Sequence, residues 1–371
     1  MSKNSRNLGL DIARSIAIIL VLICHSFYFF LPQLNLKILT LCGVLGVEIF
    51  FVLSGLLIGK IIINDLVEDR SINSLGVFYI RRWFRTLPLY YLVLFLTSII
   101  NNIGIPHRNF VFMQNFNENA LGFAPVTWSL SVEEWFYLLV PVILIVFLKL
   151  MDGKIEKKNI FFIVSIGIAF ISFLLRVYVV LMYNPSWDYG VRKQVFLRMD
   201  AIMFGVILAG IKIYYKKVYE KITISKLPVI ISCMGFLIIG ILYIQYLGVG
   251  NTFDNSRVAK IFMFSLISLT CLLLISWLET NIFINKILVK NRFANVFTSI
   301  SITSYGIYLI HWTVFGILKE KIQGFEGLSI GVIITLILAW LLNKFYEVPI
   351  MNLRDKINTK KDTKPIVDIR I

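Results

Sequence analysis

The sequence predicts an all-α fold, a polytopic membrane helical bundle of about ten transmembrane helices with cytoplasmic N- and C-termini. Three observations predict it. Of the 371 residues 58% are hydrophobic and the mean hydropathy is +0.81, beyond the roughly 45–50% apolar content of soluble domains. Apolar segments recur from Leu8 to Tyr346 with no long polar stretch, so one bundle is expected where length alone suggests about two domains. Short basic clusters separate the apolar segments.

A helix needs about 20 apolar residues to cross the hydrocarbon core. Candidate spans are 8–30, 36–63, 87–105, 134–151, 160–183, 195–215, 227–248, 258–279, 299–318 and 327–347. With an inner N-terminus, 26 of the 37 Lys and Arg fall on inner segments and eight on outer ones. That asymmetry follows the positive-inside rule and needs an even helix count. Residues 1–351 are expected to form the integral membrane domain and 352–371 a charged cytoplasmic tail. Lys3 and Arg6 before an apolar run resemble a signal peptide, but Asp11 and Arg14 interrupt the run and no small-residue cleavage site follows. It reads as a retained first helix in the cell inner (cytoplasmic) membrane.

The net charge of +16 does not imply nucleic acid, because the basic residues sit between membrane spans. Cys24, Cys42, Cys233 and Cys271 all lie in apolar segments without metal or redox spacing. Three histidines without a supporting acidic cluster argue against a metal site.

Ionisable groups at membrane depth cost a few kcal/mol each, so each marks a site or a pair. The first helix carries Asp11, Arg14 and His25. Eleven steps of 100° place Arg14 and His25 on one face, about 16 Å apart, with Asp11 one turn before. The second span carries Glu48, which reads either as a packing carboxylate paired with a neighbour or as an orienter of His25. Arg81, Arg82 and Arg85 precede the third span at the predicted cytoplasmic face. Their guanidinium forks suit phosphate oxygens, although topology signalling alone would also explain them. WSLSVEEWFYLLVP (128–141) places Glu133 and Glu134 at a helix start, where the dipole favours anions, with Ser129 or Ser131 as cap and Trp128 nearby. Arg198 and Asp200, two apart, point away from each other, so each needs another partner. SYGIYLIH (304–311) contributes Tyr305 and His311.

These segments together resemble the acyltransferase-3 family of integral membrane acyltransferases. The matching motifs are LDIARSIAIILVLICHS (10–26), GVEIFFVLSGLLIG (46–59), FYIRRWFRTLPLYY (78–91), WSLSVEEWFYLLVP (128–141), Arg198 and Asp200 with Gly205, SYGIYLIH (304–311) and YEVP (346–349). The resemblance implies ten core helices and transfer of an acyl group, commonly acetyl from acetyl-CoA, to a hydroxyl of an extracytoplasmic glycan or glycolipid. Its essential Arg and His fall on Arg14 and His25, its Arg cluster on Arg81, Arg82 and Arg85, and its glutamate on Glu133. Two departures stand out: Glu48 replaces a frequent Asp, and Thr313 replaces a frequent Pro. Some relatives carry a C-terminal SGNH-hydrolase domain. This chain shows none, so it is expected to act alone or with a separate periplasmic or extracellular transfer partner.

The expected mechanism has acyl-CoA entering from the cytoplasm, its phosphates held by the three arginines. His25 removes the acceptor's hydroxyl proton. Glu48 or Glu133 orients the ring, and Arg14 steadies the thioester oxygen or the donor. A covalent acyl-His route stays open. The rival reading is a transporter or flippase for a lipid-linked or anionic substrate, although internal repeats and paired broken helices are not evident. A purely structural scaffold leaves Arg14, His25, Glu48 and Glu133 unexplained.

Overall fold

The computed structural model describes residues 6–34, 36, 38–67, 72–116, 122–248 and 252–358. Among these there is no strand. The long helices are α1 (Leu8–Phe30), α2 (Leu39–Ile61), α3 (Ile72–Asn101), α5 (Trp128–Leu150), α6 (Lys157–Tyr183), α7 (Met199–Tyr214), α9 (Leu227–Gly248), α11 (Arg257–Thr280), α12 (Arg292–Leu318) and α13 (Gly324–Leu342). Shorter pieces are α4 (His107–Phe110), α8 (Lys216–Thr223), α10 (Thr252–Asn255) and α14 (Val348–Asn358). Residues 359–371 of the expected tail lie outside the described residues.

Local chemistry sets several helix ends. The side chains of Asn7, Ser256 and Asn291 each accept a backbone N–H of the first turn of α1, α11 and α12, satisfying donors that the helix itself leaves orphaned. Asn184 ends α6 in the left-handed conformation, φ 43°, which asparagine tolerates.

Nine helices among the described residues are long and apolar enough to cross a membrane. The expected span 195–215 becomes α7, only 16 residues long, or about 24 Å. Helix direction shows that it still reverses the chain. Asp11, Arg14 and Ser15 of α1 meet Phe297–Ser301 of α12, and His25–Phe30 meet His311–Phe315. Contacts therefore climb both helices together, and α1 and α12 run parallel. With α7 counted they are the first and ninth segments and must point the same way. Without it they would be antiparallel. The parallel pair α2 and α11, joined at Glu48–Ser268 and Lys60–Glu279, gives the same parity.

The close contact of α2 and α7 rests on small residues. A Cβ on Gly55 would lie 1.9 Å from the Ile202 carbonyl oxygen, and one on Gly205 would lie 2.2 Å from that of Val52. Without a hydrophobic drive between helices in lipid, such backbone approach supplies the packing.

Of the helix starts that differ from the sequence reading, two bear on the polar interior. α3 begins at Ile72, so Arg81, Arg82 and Arg85 lie inside it and not before it. α5 begins at Trp128, so Glu133 and Glu134 lie in its second turn and neither Ser129 nor Ser131 caps it. Charged residues depress the local hydropathy and shortened both expected spans.

Candidate active site

The polar interior divides into two groups. In the first, α2, α6, α7 and α11 enclose closed ion pairs. Arg198 Nη2 donates to Glu48 Oε1 at 2.5 Å, and Ser268 donates to Glu48 Oε2 at 2.6 Å. Arg176 donates to Asp200 at 2.8 Å, and Ser265 also faces Asp200, at 3.0 Å. All four charged side chains are at most 1% exposed. Arg198 and Asp200 thus find separate partners, as residues two apart on a helix must. Glu48, considered above as an orienter of His25, has both oxygens on Arg198 and Ser268. Its geometry is that of a packing carboxylate.

The second group lines α1, α3, α5 and α12. Asp11 accepts Arg6 at 2.6 Å and Ser301 at 2.8 Å. Arg14 reaches the same Ser301 hydroxyl at 3.4 Å. About three turns further, His25 Nδ1 lies 2.8 Å from His311 Nε2. The two rings are nearly parallel, 14° apart with centroids at 5.0 Å. Trp312 packs edge-on to His25 at 5.2 Å, and Phe315 to His311 at 5.8 Å. His311 is fully buried, while His25 keeps partial exposure. The shared face inferred for Arg14 and His25 is real, and α12 is the surface it meets.

Between these points the arginines of α3 meet the glutamates of α5. The Arg82 guanidinium sits 4.1 Å from the centre of the Tyr137 ring, a cation–π contact. Tyr137 donates to Glu133 at 2.7 Å. Glu133 also lies within electrostatic reach of Arg82 and Arg14, with Ser54 in hydrogen-bonding reach. Arg81 pairs with Asp65 at 3.4 Å, and Arg85 faces Glu347. Arg81 thus has its own partner, whereas Arg82 and Arg85 lie close enough to act on each other. Tyr305 donates to the Thr86 carbonyl at 2.8 Å, tying α12 to α3. Thr313 approaches Thr97 at 3.1 Å. Ser131 is fully buried, and its Oγ has no partner among the described residues.

Beyond His25, the turn Trp187–Arg192 closes over the bundle. Arg192 lies 5.0 Å from the Trp128 ring centre and 5.9 Å from that of Trp187. Asp188 binds both Arg192 and Lys193, at 2.5 and 2.6 Å. Burial pushes the Asp188 carboxyl up, but the two cations outweigh burial and hold it below its ordinary value. Arg192 and Lys193 both act electrostatically on His25. Sequence reasoning missed this loop and the His25–His311 pair. Single-helix periodicity reports which residues share a face but says nothing of what stands opposite.

The chain was compared with known proteins. A family model described as an acyltransferase domain matches residues 7–344. A Staphylococcus aureus (strain COL) protein provisionally named an O-acetyltransferase is 27% identical over 368 residues, covering 92% of this chain and 56% of the relative. The peptidoglycan O-acetyltransferase of Listeria monocytogenes serovar 1/2a is 32% identical over 168 residues, covering 39% of this chain and 26% of that protein. The chain thus spans about half the length of the first of these relatives. No solved structure matches. With a match that extends over nearly the whole bundle, including both halves of the histidine pair, the chain belongs to the acyltransferase family defined by that domain.

Proposed function

We propose that the protein is a multi-pass enzyme of the cytoplasmic membrane that transfers an acyl group, acetyl above all, from acyl-CoA to a hydroxyl of a cell-envelope glycan. The observation that carries this reading is the placement of His25. It stands at one end of a polar stripe, hydrogen-bonded to His311, while Arg14 and the α3 arginines occupy the same interior nearer the start of α1. The positive-inside charge pattern supports a cytoplasmic α1 start, on the side where acyl-CoA is made. The far end, under the Trp187–Arg192 turn, then faces the acceptor.

In this reading Arg82 and Arg85 hold the donor's phosphates, with Arg81 nearest the rim. Arg14, in the same polar group as Glu133, steadies the donor short of the reacting carbon, which sits about three turns further on at His25. His25 takes the proton of the acceptor hydroxyl as its oxygen attacks. The relatives named O-acetyltransferases support acetyl as the group, and the Listeria protein supports a peptidoglycan-type sugar hydroxyl as acceptor.

The test uses purified full-length protein in detergent with radiolabelled acetyl-CoA and a panel of glycan acceptors. The expected result is label transfer that falls by about 10²–10⁴-fold in His25→Ala, the usual yield of a positioned acid–base group. In Arg82→Ala the KM for acetyl-CoA rises. A wild-type protein that binds acetyl-CoA yet transfers to none of the acceptors would refute the reading and leave the transporter.

A further inference from the structure

We infer that His311 is a positioning residue: it fixes the proton of His25 on Nδ1 and so leaves Nε2 as the bare, basic nitrogen. The inference rests on the proposed function for its kinetic consequence, but its geometry stands alone.

His311 Nδ1 lies 3.0 Å from the carbonyl oxygen of Ile307, one turn back on α12. A carbonyl oxygen can only accept, so Nδ1 carries the hydrogen. A neutral imidazole has one N–H, so His311 Nε2 is a lone pair. That lone pair faces His25 Nδ1 at 2.8 Å and can only be met by an N–H. His25 therefore carries its proton on Nδ1, and its Nε2 is the base. One backbone carbonyl sets the protonation of both rings. Trp312 packs edge-on against the His25 ring and Phe315 against that of His311.

The proton count through a turnover is consistent. The acceptor hydroxyl loses its proton to His25 Nε2 while its oxygen forms a bond to the thioester carbonyl carbon. The C–S bond then breaks, and Nε2 returns the proton to the departing CoA sulfur. The products are an ester and free CoA thiol, and His25 is neutral again. During the step His25 is an imidazolium whose second N–H points at the His311 lone pair, so the buried charge is shared by two rings. His311 fills the role for which a carboxylate was expected. Glu48 is engaged with Arg198, and Glu133 with Tyr137. The charged groups facing His25 from the overlying turn, Arg192 and Lys193, are cations and cannot take that role.

The chain has three histidines, so ¹⁵N-histidine labelling of the full protein gives only three ring-nitrogen pairs, and His107→Gln removes the exposed third. Solid-state NMR should show Nδ1 protonated and Nε2 bare in both remaining rings, with a coupling across the shared hydrogen bond. Two variants separate positioning from packing. His311→Leu removes the acceptor. His311→Gln places an amide oxygen that can replace Nε2. Turnover should fall by about 10²–10³-fold in His311→Leu, within the range of acid–base effects. The KM for acetyl-CoA should hold within about twofold, and His25 should lose its single tautomer. His311→Gln should stay within about tenfold of wild type. A His25 proton found on Nε2 overturns the inference, as does equal loss in both variants with the His25 tautomer unchanged. The spectrum needs no substrate. If wild type transfers no acyl group the proposed function fails, and the spectrum still decides the histidine pair.

Discussion

Replacing Glu48 tests whether a charge at membrane depth serves stability or chemistry. Glu48 and Arg198 are 1% and 0% exposed, and their contact is 2.5 Å. Among the described residues Arg198 Nε and Nη1 have no hydrogen-bond partner, and the Phe264 ring at 4.2 Å and the charge of Asp200 are its other favourable neighbours. Removing the carboxylate strands a buried guanidinium. Two unit charges about 4 Å apart interact by about 4 kcal/mol at an effective dielectric of 20. Breaking buried pairs from one side commonly costs about 3–5 kcal/mol, so the two routes agree. Glu48→Leu should lose that amount, and Glu48→Gln, which keeps hydrogen-bonding atoms, should lose less. The double variant Glu48→Leu/Arg198→Met should recover most of it, because removing both charges also removes the cost of burying them. Buried Cys271 provides the assay, since a thiol-reactive dye reaches it only on unfolding, with exposed Cys233 setting the baseline. A Glu48→Gln protein that unfolds at the wild-type temperature but has lost turnover would refute the structural assignment.

Two further outcomes follow from the geometry. Gly55→Leu should prevent a folded bundle, because its Cβ alone would lie 1.9 Å from the Ile202 carbonyl oxygen, whereas Gly240→Ala meets open space and should leave a monodisperse protein by size-exclusion chromatography. The Asp188 carboxyl is held below its ordinary value by Arg192 and Lys193, burial notwithstanding. Its stabilisation of the Trp187–Arg192 turn is therefore present above the unfolded value and is lost only as pH falls through the lower folded one. Hydrogen exchange of amides 187–193, corrected for intrinsic rate, should stay constant from pH 7 to about pH 5, and Asp188→Asn should raise it throughout that range. A wild-type turn that loosens already near pH 6 would contradict the assignment.

Most helices could be read from apolar runs because the membrane imposes a minimum length that few other constraints produce. The exceptions are informative. α3 and α5 extend a turn or more beyond the expected spans because Arg81, Arg82, Arg85, Glu133 and Glu134 lie within helices that face one another. Hydropathy scores each residue against lipid, not against an oppositely charged neighbour. α7 was visible as a span although 16 residues hardly cross a bilayer. The stripe of Arg14 and His25 was likewise visible, since helical periodicity is a property of one segment. Partners were not. His25 and His311 are 286 positions apart, and Glu48 and Arg198 are 150 apart. Each polar residue announced that it needed a partner, yet only the packing of helices selects which.

That selection separates the two polar groups physically. Glu48, Arg198, Arg176 and Asp200 sum to zero charge in direct contacts of 2.5 and 2.8 Å. Each carboxylate there has a direct guanidinium and hydroxyl partner, while Arg198 Nε and Nη1 and Asp200 Oδ1 keep none among the described residues. Along α1, α3, α5 and α12, Asp11 and Arg81 are paired with Arg6 and Asp65, but other charges are held apart. Among the described residues Arg14, Arg82, Arg85, Glu133 and Glu134 form no direct ion pair, and Arg82 rests on a tyrosine ring. Keeping separated charge in a low-dielectric interior costs more than pairing it. A sequence that could have closed these pairs, as the neighbouring helices do, leaves them open at the cost of stability. Under the proposed function, open charge on the wall that also carries the histidine pair is what a polyanionic thioester donor would close on binding, which favours chemistry on α1 and α12 over chemistry around the better-buried Glu48.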